Sequence, residues 1–157
     1  VTGSRGFIGR NVVDALATTE YRLIAITNQK TSEQTDLISP FQLDYSSGHS
    51  IKSLIGLYGC PSVFIHLGWG HMSSPMSDKH LQGNVEEAET LINTLYESGL
   101  DTFVFIGSMN EYGARVGALS EDMEKSGRLT NYAKGKAHVA NLGFKRASFF
   151  RRKFIIL

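Results

Sequence analysis

Three evenly spaced glycines open the chain, in Val1-Thr2-Gly3-Ser4-Arg5-Gly6-Phe7-Ile8-Gly9, and run straight into a helical pattern. A turn of this kind lets the backbone double back tightly and approach a pyrophosphate. The free N–H groups at the start of the next helix then point at the phosphates. Glycines serve any tight turn, so the segment by itself also fits an ordinary loop. A buried hydrophobic strand normally precedes such a turn, and here Val1 stands in its place. The chain is therefore expected to begin inside a domain that lacks most of its first strand. With a central strand missing, its neighbours would hold unpaired backbone groups, and the isolated 157 residues are expected to be poorly stable and inactive.

Strand-like and helix-like segments alternate after the turn. Helices are expected at Phe7 to Thr18, Ile51 to Tyr58, His80 to Ser98 and Thr130 to Phe144, each with an apolar face. Short apolar strands are expected at Leu23 to Ile26, Phe41 to Asp44, Ser62 to Leu67, Thr102 to Ile106 and Phe154 to Leu157. Polar loops fill Thr27 to Ser39 and Gly68 to Asp78. Such alternation predicts an α/β domain spanning 1–157, a doubly wound parallel sheet with helices on both faces.

Composition narrows the partners. With 41% hydrophobic and 20% charged residues and a net charge of +1, nothing advertises nucleic acid or an anionic membrane surface. Lys145, Arg146, Arg151, Arg152 and Lys153 form one basic cluster, read as a solvated helix end and loop. The single cysteine, Cys60, excludes an internal disulfide and fits a reducing, cytoplasmic setting. No apolar run reaches the roughly 18 residues of a membrane span. His71, His80 and His138 lack metal-ligand spacing, so no metal is expected. His66 reads as a strand-end histidine satisfying a backbone group, and Met72 and Met76 as loop filler.

Tyr132 and Lys136 lie four apart in a helical stretch, which stacks them on one face. A phenol is a weak acid-base group near neutral pH, and an adjacent ammonium favours its phenolate. Ser108 follows an apolar strand, at the end of the sheet where ligands bind in such folds. The same serine also suits a turn.

Taken in order, these segments resemble the extended short-chain dehydrogenase/reductase superfamily, nucleotide-sugar epimerase/dehydratase type. The glycine turn matches its phosphate loop, and Ile65-His66-Leu67 its strand-end motif. Asn84-Val85-Glu86-Glu87-Ala88, Ser108-Met109-Asn110-Glu111-Tyr112-Gly113, Ser120-Glu121-Asp122 and the Tyr132–Lys136 pair complete the pattern. The resemblance implies a Rossmann-type fold whose C-terminal substrate lobe lies outside these residues. It implies Tyr132 as proton donor or acceptor, Lys136 on the nicotinamide ribose, and Ser108 on the reacting oxygen. Gly3, Arg5, Gly6, Phe7, Ile8 and Gly9 would hold the pyrophosphate side, and Asp44 would meet the adenine. Asn28, Leu67, Gly68, Trp69 and Asn84 complete the implied cofactor residues. Members often carry Ala-Ala where this chain has Gly68-Trp69, and the indole would either crowd the cofactor or stack on substrate.

The resemblance further implies a nucleotide-sugar substrate and a homodimer. NAD-preferring members carry an acid after the second strand, where this chain reads Thr27-Asn28-Gln29-Lys30. With Arg5 and Lys30 nearby, NADP is favoured over NAD. Sugar 4,6-dehydratases place an Asp-Glu pair after the catalytic hydroxyl, and Met109-Asn110 cannot do that acid-base work. An NAD(P)-dependent epimerase or reductase is therefore expected. The alternative is a non-catalytic dinucleotide-binding sensor or scaffold on the same fold.

Overall fold

The computed structural model describes residues 1–27, 38–115, 117–124 and 128–157. Helix α1 spans Phe7–Ala17, and strands β1 and β2 span Leu23–Thr27 and Ile38–Gln42. Helix α2 (Gly48–Tyr58) leads to β3 (Val63–His66). A π-helical turn at His80–Asn84 runs into α3 (Val85–Glu97), which is followed by β4 (Thr102–Phe105). A 3-10 turn at Met109–Tyr112 precedes the long helix α4 (Asn131–Phe150) and the last strand, β5 (Lys153–Ile156).

All the pairings are parallel. β1 pairs with β2, and β3, β4 and β5 pair in that order. Thr2 bridges both sets at once, to Ile26 and to His66, so the strand order runs β2–β1–Thr2–β3–β4–β5. Val1 nitrogen donates to Ile24 and Thr2 nitrogen to Ile65, while Ile26 nitrogen donates back to Val1. Beneath these two residues, between β1 and β3, lies a cavity of about 550 Å³ lined by Leu16, Ile24, Leu54, Tyr58, Phe64 and Ile65. Backbone groups alternate sides along a parallel strand, so Ile24 and Ile65 turn their N–H groups toward this slot.

The core runs from Ile26 of β1 and Ile51 of α2 across to the other flank. Ala88, Leu91, Ile92 and Leu95 of α3 are wholly buried with Phe103 and Phe105 of β4 and Val139 of α4. The expected stripe of α3 is thus the stripe that packs.

Several boundaries differ from expectation. β2 ends at Gln42 rather than Asp44, because Asp44 accepts from the backbone and hydroxyl of Ser46 and opens a turn. Ser47 caps α2 by accepting from Ser50 nitrogen, which starts that helix at Gly48 and not Ile51. Neither residue is apolar enough to register in a periodicity. Thr27, Ile38 and Ser39, expected in a loop, belong to strands, and residues 28–37 lie outside the described ones. Pro40 sits in β2, which pairs on one side, where the lack of an N–H is tolerated. α4 continues to Phe150 rather than Phe144, since Ala147 keeps the buried face going. Lys145 and Arg146 are therefore helical, and the turn falls at Arg151, which is left-handed with φ 56°.

Candidate functional site

The glycine turn is shaped by close approach. Gly3 has φ +63°, and a Cβ there would come within 2.8 Å of the Leu67 and Gly68 backbone. A Cβ on Gly9 would meet the Gly3 carbonyl oxygen at 2.0 Å. Gly6 is the N-cap of α1 and supplies no side-chain cap, so the helix opens with uncovered N–H groups. Phe7 and Ile8 are 82% and 50% exposed beside it. Such a cradle, closed to any side chain yet open to solvent, suits a pyrophosphate. Arg5 is exposed on the turn's outer side.

Thr2 joins this turn to the neighbouring strand end. Its hydroxyl accepts from the backbone N–H groups of Leu67 and Gly68, both at 3.1 Å, and donates to His66 Nδ1 at 2.8 Å. His66 therefore answers a side-chain hydroxyl, not the backbone group expected of it. Burial, and secondarily the charge of Lys136, pushes its pKa down to about 3, so the ring is neutral.

The second half of the site lies where α4 crosses the end of β4. Lys136 is 5% exposed, and its Nζ donates to the Ile106 carbonyl at 2.8 Å. Burial lowers its pKa to about 8, against an opposing pull from Glu111. Ser108, two residues past that carbonyl, caps the 3-10 turn. Its backbone N–H donates to Glu111 Oε1 at 2.9 Å, and its own hydroxyl accepts from Asn110 nitrogen at 3.3 Å. Glu111 is buried, so its carboxylate serves the backbone of Ser108 and does not face the surface. Tyr112 hydroxyl reaches the Glu121 carbonyl, which brings the Ser108–Gly113 and Ser120–Asp122 segments together. Tyr132 is half-buried in the first turn of α4, and its nitrogen donates to Pro75. Asn131 binds the Met76 carbonyl and Asp78, so the 68–79 loop is stitched to this helix start.

Trp69 stands between these groups. Its Nε1 donates to His80 Nδ1 at 3.1 Å, its ring meets Tyr132 edge-on at 6.2 Å, and Lys136 Nζ lies 4.1 Å from its centroid. Asn84 holds the loop by accepting from Gly70 nitrogen at 2.8 Å and donating to the Gly70 carbonyl.

Most of the expected residues thus fall into two groups. Gly3, Arg5, Gly6, Phe7, Ile8 and Gly9 form the turn with Leu67 and Gly68 beside it, while Ser108, Tyr132, Lys136, Trp69 and Asn84 gather at the ends of β4 and α4. Asp44 lies apart, exposed in the turn before α2 with one carboxylate oxygen engaged by Ser46. Asn28 and Lys30 fall outside the described residues. Sequence reading missed Thr2, Tyr45, His80 and the inward turn of Glu111. Tyr45 rises to about 12 by burial, opposed by a hydrogen bond with the Gly3 backbone. The capping-box spacing Ser108–Glu111 was the one available signal for Glu111.

The model of the NAD dependent epimerase/dehydratase family matches residues 1–157. No curated protein matches the chain. Among solved structures, UDP-glucose 4-epimerase from Thermotoga maritima, with UDP-glucose, aligns at TM-score 0.84 and 18% identity, over 99% of this chain and 52% of that one. UDP-glucose 4-epimerase from Brucella ovis, in complex with NAD, aligns at TM-score 0.85 and 18% identity, over 99% and 49%. UDP-glucuronic acid 4-epimerase from Bacillus cereus, in complex with UDP-glucuronic acid and NAD, aligns at TM-score 0.78 and 22% identity, over 99% and 54%. At such identities the likeness establishes the fold, a Rossmann-type parallel sheet. The chain spans about half the length of these proteins.

Proposed function

The chain belongs to the NAD dependent epimerase/dehydratase family, and we propose that it forms the cofactor and catalytic half of an epimerase or reductase acting on a nucleotide-activated sugar. One observation carries this reading. Lys136 reaches from α4 to the carbonyl of Ile106, two residues before Ser108 at the end of β4, beside the strand end on which the glycine turn closes.

Gly3, Gly6 and Gly9 would hold the pyrophosphate through backbone groups, with Phe7 and Ile8 contributing the first N–H groups of α1. When bound, the nicotinamide supplies the hydride acceptor and donor. The protein handles the proton. Tyr132 gives or takes it at the phenol oxygen, Lys136 stabilises the phenolate electrostatically, and Ser108 donates to the sugar oxygen that changes order. Ser108 needs only a hydroxyl rotation for this, since Glu111 already fixes its backbone. Met109 and Asn110 carry no acid or base, which disfavours water elimination and leaves epimerisation or reduction. Arg5 on the exposed rim of the turn supports NADP over NAD, by pairing with a 2′-phosphate. Several of the similar structures hold NAD, so both dinucleotides belong in the assay.

The test is turnover of a panel of nucleotide sugars with NAD and NADP, for the wild type beside Tyr132→Phe. Loss of at least a hundredfold in kcat is expected from removing the phenol hydroxyl, in line with the usual worth of a positioned acid-base group, ~10²–10⁴. Retained turnover in the variant sinks the mechanism. Cofactor binding without turnover of any sugar favours a non-catalytic sensor or scaffold.

A further inference from the structure

Lys136 is enclosed in an unusual way for a group meant to act on a ligand. Its ammonium has three N–H donors, and one of them meets the Ile106 carbonyl. Two aromatic faces crowd the rest, Trp69 at 4.1 Å and Phe105 at 4.6 Å from the ring centroids. The indole is itself fixed. Trp69 Nε1–H can only donate, so His80 Nδ1 accepts, and His80 Nε2–H donates to the Ser74 carbonyl at 3.0 Å. His80 is wholly buried, and Asn84 lies 3.2 Å from the same Nδ1. The wall behind the indole is cut to receive it. A Cβ on Gly135 would stand 2.9 Å from the His80 carbonyl oxygen and 3.2 Å from Trp69 Cζ2, so glycine lets α4 pass close to both.

We propose that Trp69 is a positioning residue for Lys136: the indole, fixed by His80, closes the ammonium between two ring faces and keeps it aimed at the end of β4. This rests on the reading that Lys136 serves Tyr132. A Lys at this point that swung freely into water would hold its proton more tightly and stabilise a phenolate less. An ammonium against ring faces is favoured electrostatically, while exclusion of water opposes the charge. Burial lowers the proton affinity of Lys136, and Glu111 opposes it. Among the described residues, the titratable groups that act on it are Glu111 from the 3-10 turn and His66 from β3, while Tyr132 and His80 border the Trp69 ring. His66 is neutral, which leaves Glu111 as the opposing charge.

The two effects of the indole can be separated by substitution. Trp69→Ala admits water and removes the ring. Trp69→Leu keeps water out and removes the ring face. The readout is the titration of Lys136 followed by NMR of ¹³C-labelled lysine, with the resonance assigned by its loss in Lys136→Arg. The wild-type midpoint is expected near 8. Trp69→Ala should raise it by about one unit, a tenfold change in proton affinity, and Trp69→Leu should lower it. The alkaline limb of the kcat profile should move in the same directions. An unchanged midpoint in Trp69→Ala overturns the proposal. If that variant does not fold, an unchanged or raised midpoint in Trp69→Leu does so. The titration needs no turnover, so a protein inactive on every sugar would defeat the catalytic reading while leaving this result standing.

Discussion

The two flanks of the sheet would hold their functional groups by different means. On one, α3 and α4 cover β3, β4 and β5 with wholly buried side chains such as Leu91, Ile92, Phe103 and Phe105. On the other, α1 buries Gly9 and Val13, Ile26 and Ile51 are buried in the same core, and Thr2 bridges β1 and β3 through the start of the glycine turn. The chemistry each side would perform differs as well. In the proposed reaction Lys136, Tyr132 and Ser108 would act through side-chain atoms, whose rotamers must be fixed by packing. The glycine turn acts through backbone N–H groups, which its own hydrogen bonds and the absence of Cβ atoms already set in place. A phosphate cradle can therefore be set by backbone geometry alone, whereas an acid-base group needs its side chain held.

The sharpest attempt to break this contrast is truncation of the packed flank. Phe103→Ala should cost about 3–5 kcal/mol in chemical unfolding, since it empties a site between β3, α3 and β5. A cost under 1 kcal/mol would show that the flank is loosely packed after all. Next in size is the junction. Thr2→Val keeps the shape but strands the Leu67 and Gly68 N–H groups and His66 Nδ1, and a loss of about 2–3 kcal/mol is expected. Equal stability of the variant would mean that Thr2 is not what joins the halves.

The next effect is read per pH unit, where it is smaller than either. His66 has its pKa lowered from 6.5 to about 3 in the folded chain, so between those values the unfolded state binds more protons. Stability is then retained above pH 6.5 and falls as pH drops through that window, by about 1.4 kcal/mol per unit from this group. Urea melts at successive pH values should lose that component of the slope in His66→Asn, and identical slopes would refute it. Smallest of all is Ile8→Ala on the exposed face of α1, expected within about 0.5 kcal/mol. A larger change would mean that the cradle's flank is better packed than it looks.

Much of the packed flank was legible because its signals are periodic. The α3 stripe from Val85 to Leu95 and the apolar run of β4 say what they bury. The site was legible where residue type and spacing meet, at Tyr132–Lys136 and at the glycines. What escaped depends on partners distant along the chain. Nothing near His80 announces Trp69, and nothing near Thr2 announces His66, because those hydrogen bonds join different loops and strands. Boundaries slipped for a similar reason, since the Ser47 cap and the Asp44 turn rest on polar atoms that hydrophobic periodicity does not see.

The π-helical turn at His80–Asn84 sets the terms on which this region can change over generations. It accommodates one residue more than an α-helix needs for the same advance, and the buried stripe of α3 begins just after it, at Val85. Deleting one residue there would restore a regular helix and leave that stripe in register. His80 would meanwhile swing by roughly 100° about the axis, taking its hold on Trp69 and on Ser74 with it. A one-residue change in this turn would thus remake the wall around Trp69 while the α3 stripe kept its register.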